Sequence, residues 1–254
     1  MTEKRIYFLS DVHLGSKTLN NNRERENHLV AFINSIQDKC SSLWLMGDIF
    51  DFWFEYKHAV PKGHTRLLGK LSELTDKGIP VHLFTGNHDI WVFDYLSSEC
   101  GVVVHKEKVE QLTLNGKTIL LGHGDGLNPK DTGFKIIRAV FHNKVAQWLF
   151  RWLHPDCGIG LANRWSSHSR ESQGGVTVKE YLGDTKEHSV VYANSYINEH
   201  PEVDYVIFGH RHLAFETTLN NGAKYINLGD WLTQFTYAEL DQSGNLALKN
   251  YPLQ

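Results

Sequence analysis

A chain of 254 residues, 41% hydrophobic and 22% charged, is long enough for one α/β domain with a full core, and this composition excludes a disordered protein. A formal charge of -3 gives no general attraction to nucleic acid or anionic lipid, so nucleic acid is not expected as a partner and any basic patch has to be local. Cys40, Cys100 and Cys157 are odd in number and far apart, which excludes a disulfide framework; with no secretory signal and no apolar stretch of membrane-spanning length, the expectation is a cytoplasmic protein, with or without attachment to a membrane surface.

The first expected strand, Ile6-Tyr7-Phe8-Leu9, runs straight into Ser10-Asp11-Val12-His13. A polar stretch then leads to a helix over His28 to Ile36, with Leu29, Phe32, Ile33 and Ile36 at helical spacing. The strand grammar returns at Leu43-Trp44-Leu45-Met46, which delivers Gly47-Asp48-Ile49-Phe50-Asp51. Phe52, Trp53, Phe54 and Tyr56 follow, an aromatic run that suits either core packing or the lining of an apolar ligand site. His64 to Asp76 reads as a helix ended by Gly78-Ile79-Pro80. Val81-His82-Leu83-Phe84 then runs into Thr85-Gly86-Asn87-His88-Asp89, and a short helix from Trp91 to Ser98 would aim its terminal N–H groups at an anion near the metals. Val102 to Leu121, broken at Asn115-Gly116, is an expected hairpin whose second strand ends in Gly122-His123-Gly124-Asp125.

Gly126 to Ser189 departs from the strand grammar. Phe134, Ile137, Phe141, Val145, Trp148, Leu149 and Trp152 recur at three- and four-residue steps, so one helix with an apolar stripe is expected, stopped by His154-Pro155-Asp156. Lys135, Arg138, Lys144 and Arg151 lie among them. Such a helix either docks on the sheet with snorkelling cations or forms a lid over a lipidic substrate near anionic head groups. A second helix is expected over Ile159 to Trp165, followed by the hydroxyls and cation of Ser166 to Arg170. A helix from Glu187 to His200 leads into Tyr205-Val206-Ile207-Phe208 and Gly209-His210-Arg211-His212, and short strands close the chain at Phe215 to Leu219, Lys224 to Asn227, Phe235 to Leu240 and Leu246 to Asn250.

One Asp after Gly is commonly a turn residue. Five strand ends carrying Asp, Asn and His are not explained that way, because turn chemistry gives no reason for His at four of the five. The blocks Asp11-x-His13, Gly47-Asp48-x-x-Asp51, Gly86-Asn87-His88-Asp89, Gly122-His123 and Gly209-His210-x-His212 resemble those of the calcineurin-like metallophosphoesterase family, in family order. The resemblance implies an α/β fold, a four-layer αββα sandwich. It implies one metal on Asp11, His13, Asp48 and His212, a second on Asp48, Asn87, His123 and His210, and a catalytic, non-ligand His88, which the adjacent Asp89 could orient. Two cations about 3.5–4 Å apart can polarise a phosphoryl group and activate water, so no protein nucleophile is needed. The mixed ligand set suits two divalent ions, Mn²⁺ first, with Fe or Zn²⁺ as alternatives, better than an all-oxygen Mg²⁺ site.

His123-Gly124-Asp125-x-Leu127, Asp131, the helical insertion and Ser169-Arg170-Glu171 extend the resemblance to the UDP-2,3-diacylglucosamine pyrophosphohydrolases of lipid A synthesis. That family implies water attacking the α-phosphate of a lipid-linked nucleotide sugar, giving UMP and 2,3-diacylglucosamine 1-phosphate, with acyl chains under the lid. Well-known members carry Arg where this chain has His88. The expected organisation is one domain over residues 1–254 with a lid at 127–189 that touches the inner membrane surface. Asp125, Asp131, Phe141, Trp148, Arg164, Ser169 and Arg170 are the expected substrate contacts. The alternatives are a phosphodiesterase or phosphatase for a soluble nucleotide, nucleic acid or phosphoprotein, and a metal-stabilised scaffold without activity.

Overall fold

Two sheets face each other because their central strands are apolar on both sides, a pattern that only burial between two layers satisfies. The computed structural model describes residues 3–16, 19, 21–128, 132–161, 164 and 180–252. In the first sheet β1 (Arg5–Leu9), β2 (Cys40–Leu45), β3 (Val81–Phe84) and β4 (Val103–His105) run parallel, and β10 (Thr236–Leu240) and β11 (Leu246–Asn250) close the β1 edge antiparallel. The second sheet has the order β5 (Val109–Leu114), β6 (Lys117–Gly122), β7 (Tyr205–Phe208), β9 (Lys224–Leu228) and β8 (Ala214–Thr218), with β6, β7 and β9 parallel.

The two-residue period of each strand divides its side chains between layers. Ile6 and Phe8 of β1 join Trp44, Met46, Ile119, Leu121, Ile207, Ile226 and Leu228 in the core between the sheets. Tyr7 and Leu9 point the other way, with Leu43 and Leu45, onto Leu29, Phe32, Ile33 and Ile36 of α1 (Asn22–Ile36) and Leu67, Leu71 and Leu74 of α2 (Thr65–Asp76). On the far side, Leu120, Val206, Phe208 and Tyr225 meet Val190, Ala193 and Ile197 of a helix over His188–Glu199. Helix, sheet, sheet, helix is the four-layer sandwich expected. The Asn115-Gly116 hairpin joins β5 to β6, with Leu114 paired to Lys117.

Three expectations differ. The helix α3 begins at Tyr95, not Trp91, and its first amides are taken: Asp94 N and Tyr95 N donate to the buried Glu55 carboxylate at 2.7 and 3.1 Å, so this helix start is not offered to an anion. The single apolar helix is two helices, α4 (Thr132–His142) and α5 (Lys144–Arg151). Asn143 sits between them in extended backbone, and its side chain accepts from Val145 N at 2.9 Å and Ala146 N at 3.1 Å, capping α5. The helix expected from Glu187 is present as His188–Glu199, α6 hereafter, with Glu187 as its N-cap residue. The second insertion helix, expected from Ile159, starts earlier: residues 155–161 and 164 are helical, so Pro155 opens a new helix directly after the first pair ends.

The aromatic run after Asp51 is core: Trp53 and Phe54 are fully buried. It also forms a platform for the insertion, since Phe150 of α5 packs 4.7 Å from Phe54 and 4.8 Å from Trp91 between ring centroids.

Candidate metal centre

In this two-sheet arrangement β1, β2, β3, β6 and β7 are parallel within their sheets, and the loops after their carboxyl ends meet above the inter-sheet core. Asp11, His13 and His212 bring three ligand atoms within 4.8 Å of one another, and so do Asp48, His123 and His210. Asp48 of the second triad also reaches the first: its Oδ2 is 3.7 Å from His13 Nε2 and 3.2 Å from His123 Nε2. One carboxylate oxygen thus faces an imidazole from each triad. His13 Nε2 and His212 Nε2 are 3.2 Å apart, and His212 Nε2 is 3.2 Å from Asp11 Oδ1. Two imidazole nitrogens and a carboxylate crowded at one point are the donor set that a borderline divalent ion takes.

The loops reach this geometry by unusual backbone. Asp11, His13, Asp48, His210 and His212 all have positive φ, between 48 and 66°. Each such conformation costs a non-glycine residue about 1–2 kcal/mol, so the surrounding structure has to impose it. It does so through backbone bonds: Asp11 N to Gly47 O at 3.1 Å, Val12 N and His13 N to Asp48 O at 3.0 Å, and Trp231 N to Asp11 O at 3.0 Å. Glycine permits the close approach, since a Cβ on Gly47 would stand 2.5 Å from His123 Nδ1 and one on Gly86 would strike Asp48 Oδ1.

Asp11, His13, Asp48 and His123 are buried and form the floor, whereas Asn87, His210 and His212 are half-buried and form the mouth. Asn87 Oδ1 is buried and has no hydrogen-bond partner. An orphaned amide oxygen in this position fits a metal ligand, and Gly86 and His88 on either side both touch Asp48. His123 Nδ1 donates to Met46 O at 2.9 Å, which turns Nε2 toward Asp48. Burial alone would raise the Asp48 carboxyl, but attraction to His123 and His88 outweighs it and holds the group well below the usual carboxylate range. His123 moves the opposite way, well above an ordinary imidazole, because the Asp48 charge outweighs its burial. His210 is pushed down to about 4 by burial and by the nearby His123.

His88 and Asp89 part company. His88 Nδ1 lies 2.9 Å from the Asp51 carbonyl, and the ring stands edge-on to His13 at 4.7 Å between centroids. Asp89 does not orient it. Its carboxylate accepts from Gly86 N at 2.7 Å, Ile49 N at 2.8 Å, and Asp48 N and Phe50 N at 3.3 Å, so Asp89 ties the β3 loop to the β2 loop.

Two residues went unassigned in sequence. Asp51, the last residue of the second block, places Oδ1 3.3 Å from His13 Nδ1 while its carbonyl holds His88, so it steadies two site imidazoles at once. Asp230 follows a sixth parallel strand end, Ile226-Asn227-Leu228-Gly229-Asp230; its Oδ1 accepts from Thr233 N at 2.7 Å and its Oδ2 lies 4.0 Å from His212 Nδ1. The same strand-Gly-Asp signal could have found it.

The described members of the expected substrate contacts have different surroundings. Asp125 is buried and paired with Arg138 of α4. Phe141 is half-buried against Trp91, Trp148 is 57% exposed, and Arg164 is exposed. Asp131, Ser169 and Arg170 lie outside the described residues.

Residues 4–214 match the family described as calcineurin-like phosphoesterase. A protein of Porphyromonas gingivalis (strain ATCC BAA-308 / W83) named UDP-2,3-diacylglucosamine hydrolase is 37% identical over 247 residues, 93% of this chain and 94% of the relative. A protein of the same name from Edwardsiella ictaluri (strain 93-146) is 28% identical over 247 residues, 93% of this chain and 88% of its own. A match across most of the length, with four strand ends supplying two ligand triads that meet at Asp48, makes this chain a member of the calcineurin-like phosphoesterase family.

Proposed function

We propose that this chain is a metal-dependent hydrolase that cleaves the pyrophosphate of UDP-2,3-diacylglucosamine to UMP and 2,3-diacylglucosamine 1-phosphate. The observation that carries the reading is the Asp48 carboxylate set between two ligand triads, in a chain whose relatives bear that hydrolase name over nearly their full length. Asp11, His13, Asp48 and His212 would hold one divalent ion and Asp48, Asn87, His123 and His210 the other, with Mn²⁺ ahead of Fe or Zn²⁺. Ions so held polarise a phosphoryl oxygen and lower the pKa of water.

The remaining work falls to the chain. His88 donates from Nδ1 to the Asp51 carbonyl, which assigns the lone pair of the neutral ring to Nε2. At that atom His88 accepts a proton or, once cationic, delivers one to the departing phosphate oxygen. Asp51 keeps the His88 and His13 rings in place, and Asp89 keeps the loops that carry them together.

Residues 127–189 serve as a lid within one domain. Its described part carries an apolar face for acyl chains: Trp148, Leu149, Trp152 and Leu153 are exposed, Trp152 at 75%. From Thr132 to Pro155 the sequence has Lys135, Arg138, Lys144 and Arg151 and no carboxylate, which favours an anionic surface such as the cytoplasmic face of the inner membrane. Among the described residues no helix is long and apolar enough to cross a membrane, so contact through this face would be peripheral. Arg164, with Asp131, Ser169 and Arg170, is proposed for the sugar-phosphate end of the substrate.

Hydrolysis of UDP-2,3-diacylglucosamine in ¹⁸O-water by protein reloaded with Mn²⁺ tests the reading. The expected result is one ¹⁸O in UMP and none in the sugar phosphate. Hydrolysis of a small chromogenic phosphodiester without turnover of the acylated nucleotide would instead favour a soluble phosphodiester as substrate.

A further inference from the structure

Helix α4 is an unusual element. It has 11 residues, too few to be stable alone, and among its described side chains Ile136, Ile137 and Val140 are exposed at 66, 38 and 51% and do not hold it. Among the described residues two contacts with the loops of the sheets do. Arg138 pairs with the buried carboxylate of Asp125, two residues beyond His123. Phe141 packs on Trp91, four residues beyond Asn87, with ring centroids 4.8 Å apart, and its carbonyl accepts from the Trp91 indole N–H at 2.8 Å. Arg138 and Phe141 are three residues apart and therefore share one helix face. That face straddles two loops, and these carry Asn87 and His123, two residues expected at the same metal position.

We infer that Arg138 is a positioning residue: it straps α4 across the Asn87 and His123 loops, fixes the exposed apolar face of α4 and α5 beside that half of the centre, and so sets the affinity for an acylated substrate. The mechanical part rests on the contacts alone. The acylated substrate rests on the function proposed above. Arg138 is suited to the task because a planar guanidinium on a buried carboxylate is both strong and directional, and Asp125 left alone would be a buried charge without a partner. Trp91 supplies the second point of the strap, so loss of Arg138 leaves α4 hinged at Phe141 and does not detach it.

The experiment uses the Mn²⁺-loaded full chain and compares Arg138→Ala, Arg138→Lys, Asp125→Asn and the Asp125→Asn/Arg138→Ala double variant. Hydrogen exchange of the α4 amides is expected to quicken about tenfold in Arg138→Ala while α1 and α2 keep their protection, as for a local opening. In Arg138→Ala, KM for UDP-2,3-diacylglucosamine is expected to rise about tenfold with kcat within about twofold, while the kinetics of this variant on bis(p-nitrophenyl) phosphate stay unchanged. Arg138→Lys should recover part of both effects, and the double variant should be no worse than the worse single one, as for two halves of one contact. Unchanged α4 exchange, or faster exchange with unchanged KM, would overturn the proposal. So would equal losses on both substrates with a lowered melting temperature, which would make the pair an ordinary structural contact. If the wild-type chain leaves the acylated nucleotide intact, the substrate reading fails, and the exchange measurements still decide whether Arg138 holds α4.

Discussion

The metal cradle and the α4–α5 pair lie side by side and are built by opposite means. In the cradle nearly every functional side chain sits on a loop between buried strands, with its backbone tied to a neighbouring loop and, at five residues, held in the left-handed region. The helices expose Ile136, Val140, Val145, Trp148, Leu149 and Trp152 and rest on the body of the protein through Arg138, Phe141 and Phe150. The cradle stores strain in order to fix atoms, whereas the helices keep few contacts and leave apolar surface for something else to cover. Rigidity and openness are thus assigned to separate segments of one chain.

The sharpest way to break the cradle is Asp48→Ala. Because Asp48 faces an imidazole of each triad, this variant should lose metal at both positions, and activity should fall beyond the about 10²–10³-fold of one electrostatic contact. His13→Ala, which removes an imidazole from one triad, should keep more metal. Metal analysis of the two purified proteins checks this, and full metal content in the Asp48 variant would end the two-ion assignment. His88→Ala comes next: kcat should fall about 10²–10⁴-fold with metal content near normal, as for a positioned acid or base. If metal leaves with activity, His88 belongs to the ligand set.

The helices are probed by a pair of substitutions that the structure separates. Trp148 is exposed, so Trp148→Ser should leave the melting temperature unchanged and weaken turnover of the diacylated nucleotide by about tenfold or more, through apolar area of about 25 cal/mol per Å². Phe141 packs on Trp91, so Phe141→Ser should also lower the melting temperature, by about 2–4 °C for each kcal/mol lost. Equal melting shifts in both would remove the distinction between open face and anchor.

The smallest effect lies in the scaffold beneath both regions. His82 stacks on Trp44 at 3.8 Å between centroids, with Nδ1 3.0 Å from His105 Nε2; burial, and then the charge of His105, pushes it down to about 4. The folded protein therefore resists a proton that the unfolded chain takes up near pH 6.5. Stability is full above pH 6.5, declines as the pH falls toward 4, and then levels off. With the ring only half-buried, the loss should be about 1–2 kcal/mol. Urea titrations of chelated protein at pH 7 and pH 5 should show it in the wild type and a flatter profile in His82→Phe. An identical slope in the variant would assign the acid sensitivity elsewhere.

Much of the cradle was legible in sequence because an apolar strand that ends in Gly and a ligand is a local pattern, and the parallel topology brings such ends together without further information. Asp230 was missed although it carries the same pattern, since it stands alone without a histidine. The break at Asn143 was hidden because the three- and four-residue spacing of apolar positions continues across it, and only the Asn143 side chain capping Val145 and Ala146 reveals a new helix start. Asp89 was misplaced for another reason: adjacency to His88 suggested a side-chain partner, but four amides of two loops outcompete one imidazole for the carboxylate. The Arg138–Asp125 pair joins a helix to a loop across a gap that no local spacing encodes.

The backbone bond from Trp231 N to Asp11 O has a consequence for how the protein acquires its ions. Asp11 and His13 emerge from the ribosome first, yet the histidine facing His13, His212, is 199 positions later, and the strand that pairs with β1 on its open side is β10. A nascent chain therefore carries half of a site for most of its synthesis. Loading belongs to the last stage of maturation, and a product truncated before Asp230 should be a metal-poor, protease-sensitive species even though all seven expected ligands lie in its first 212 residues.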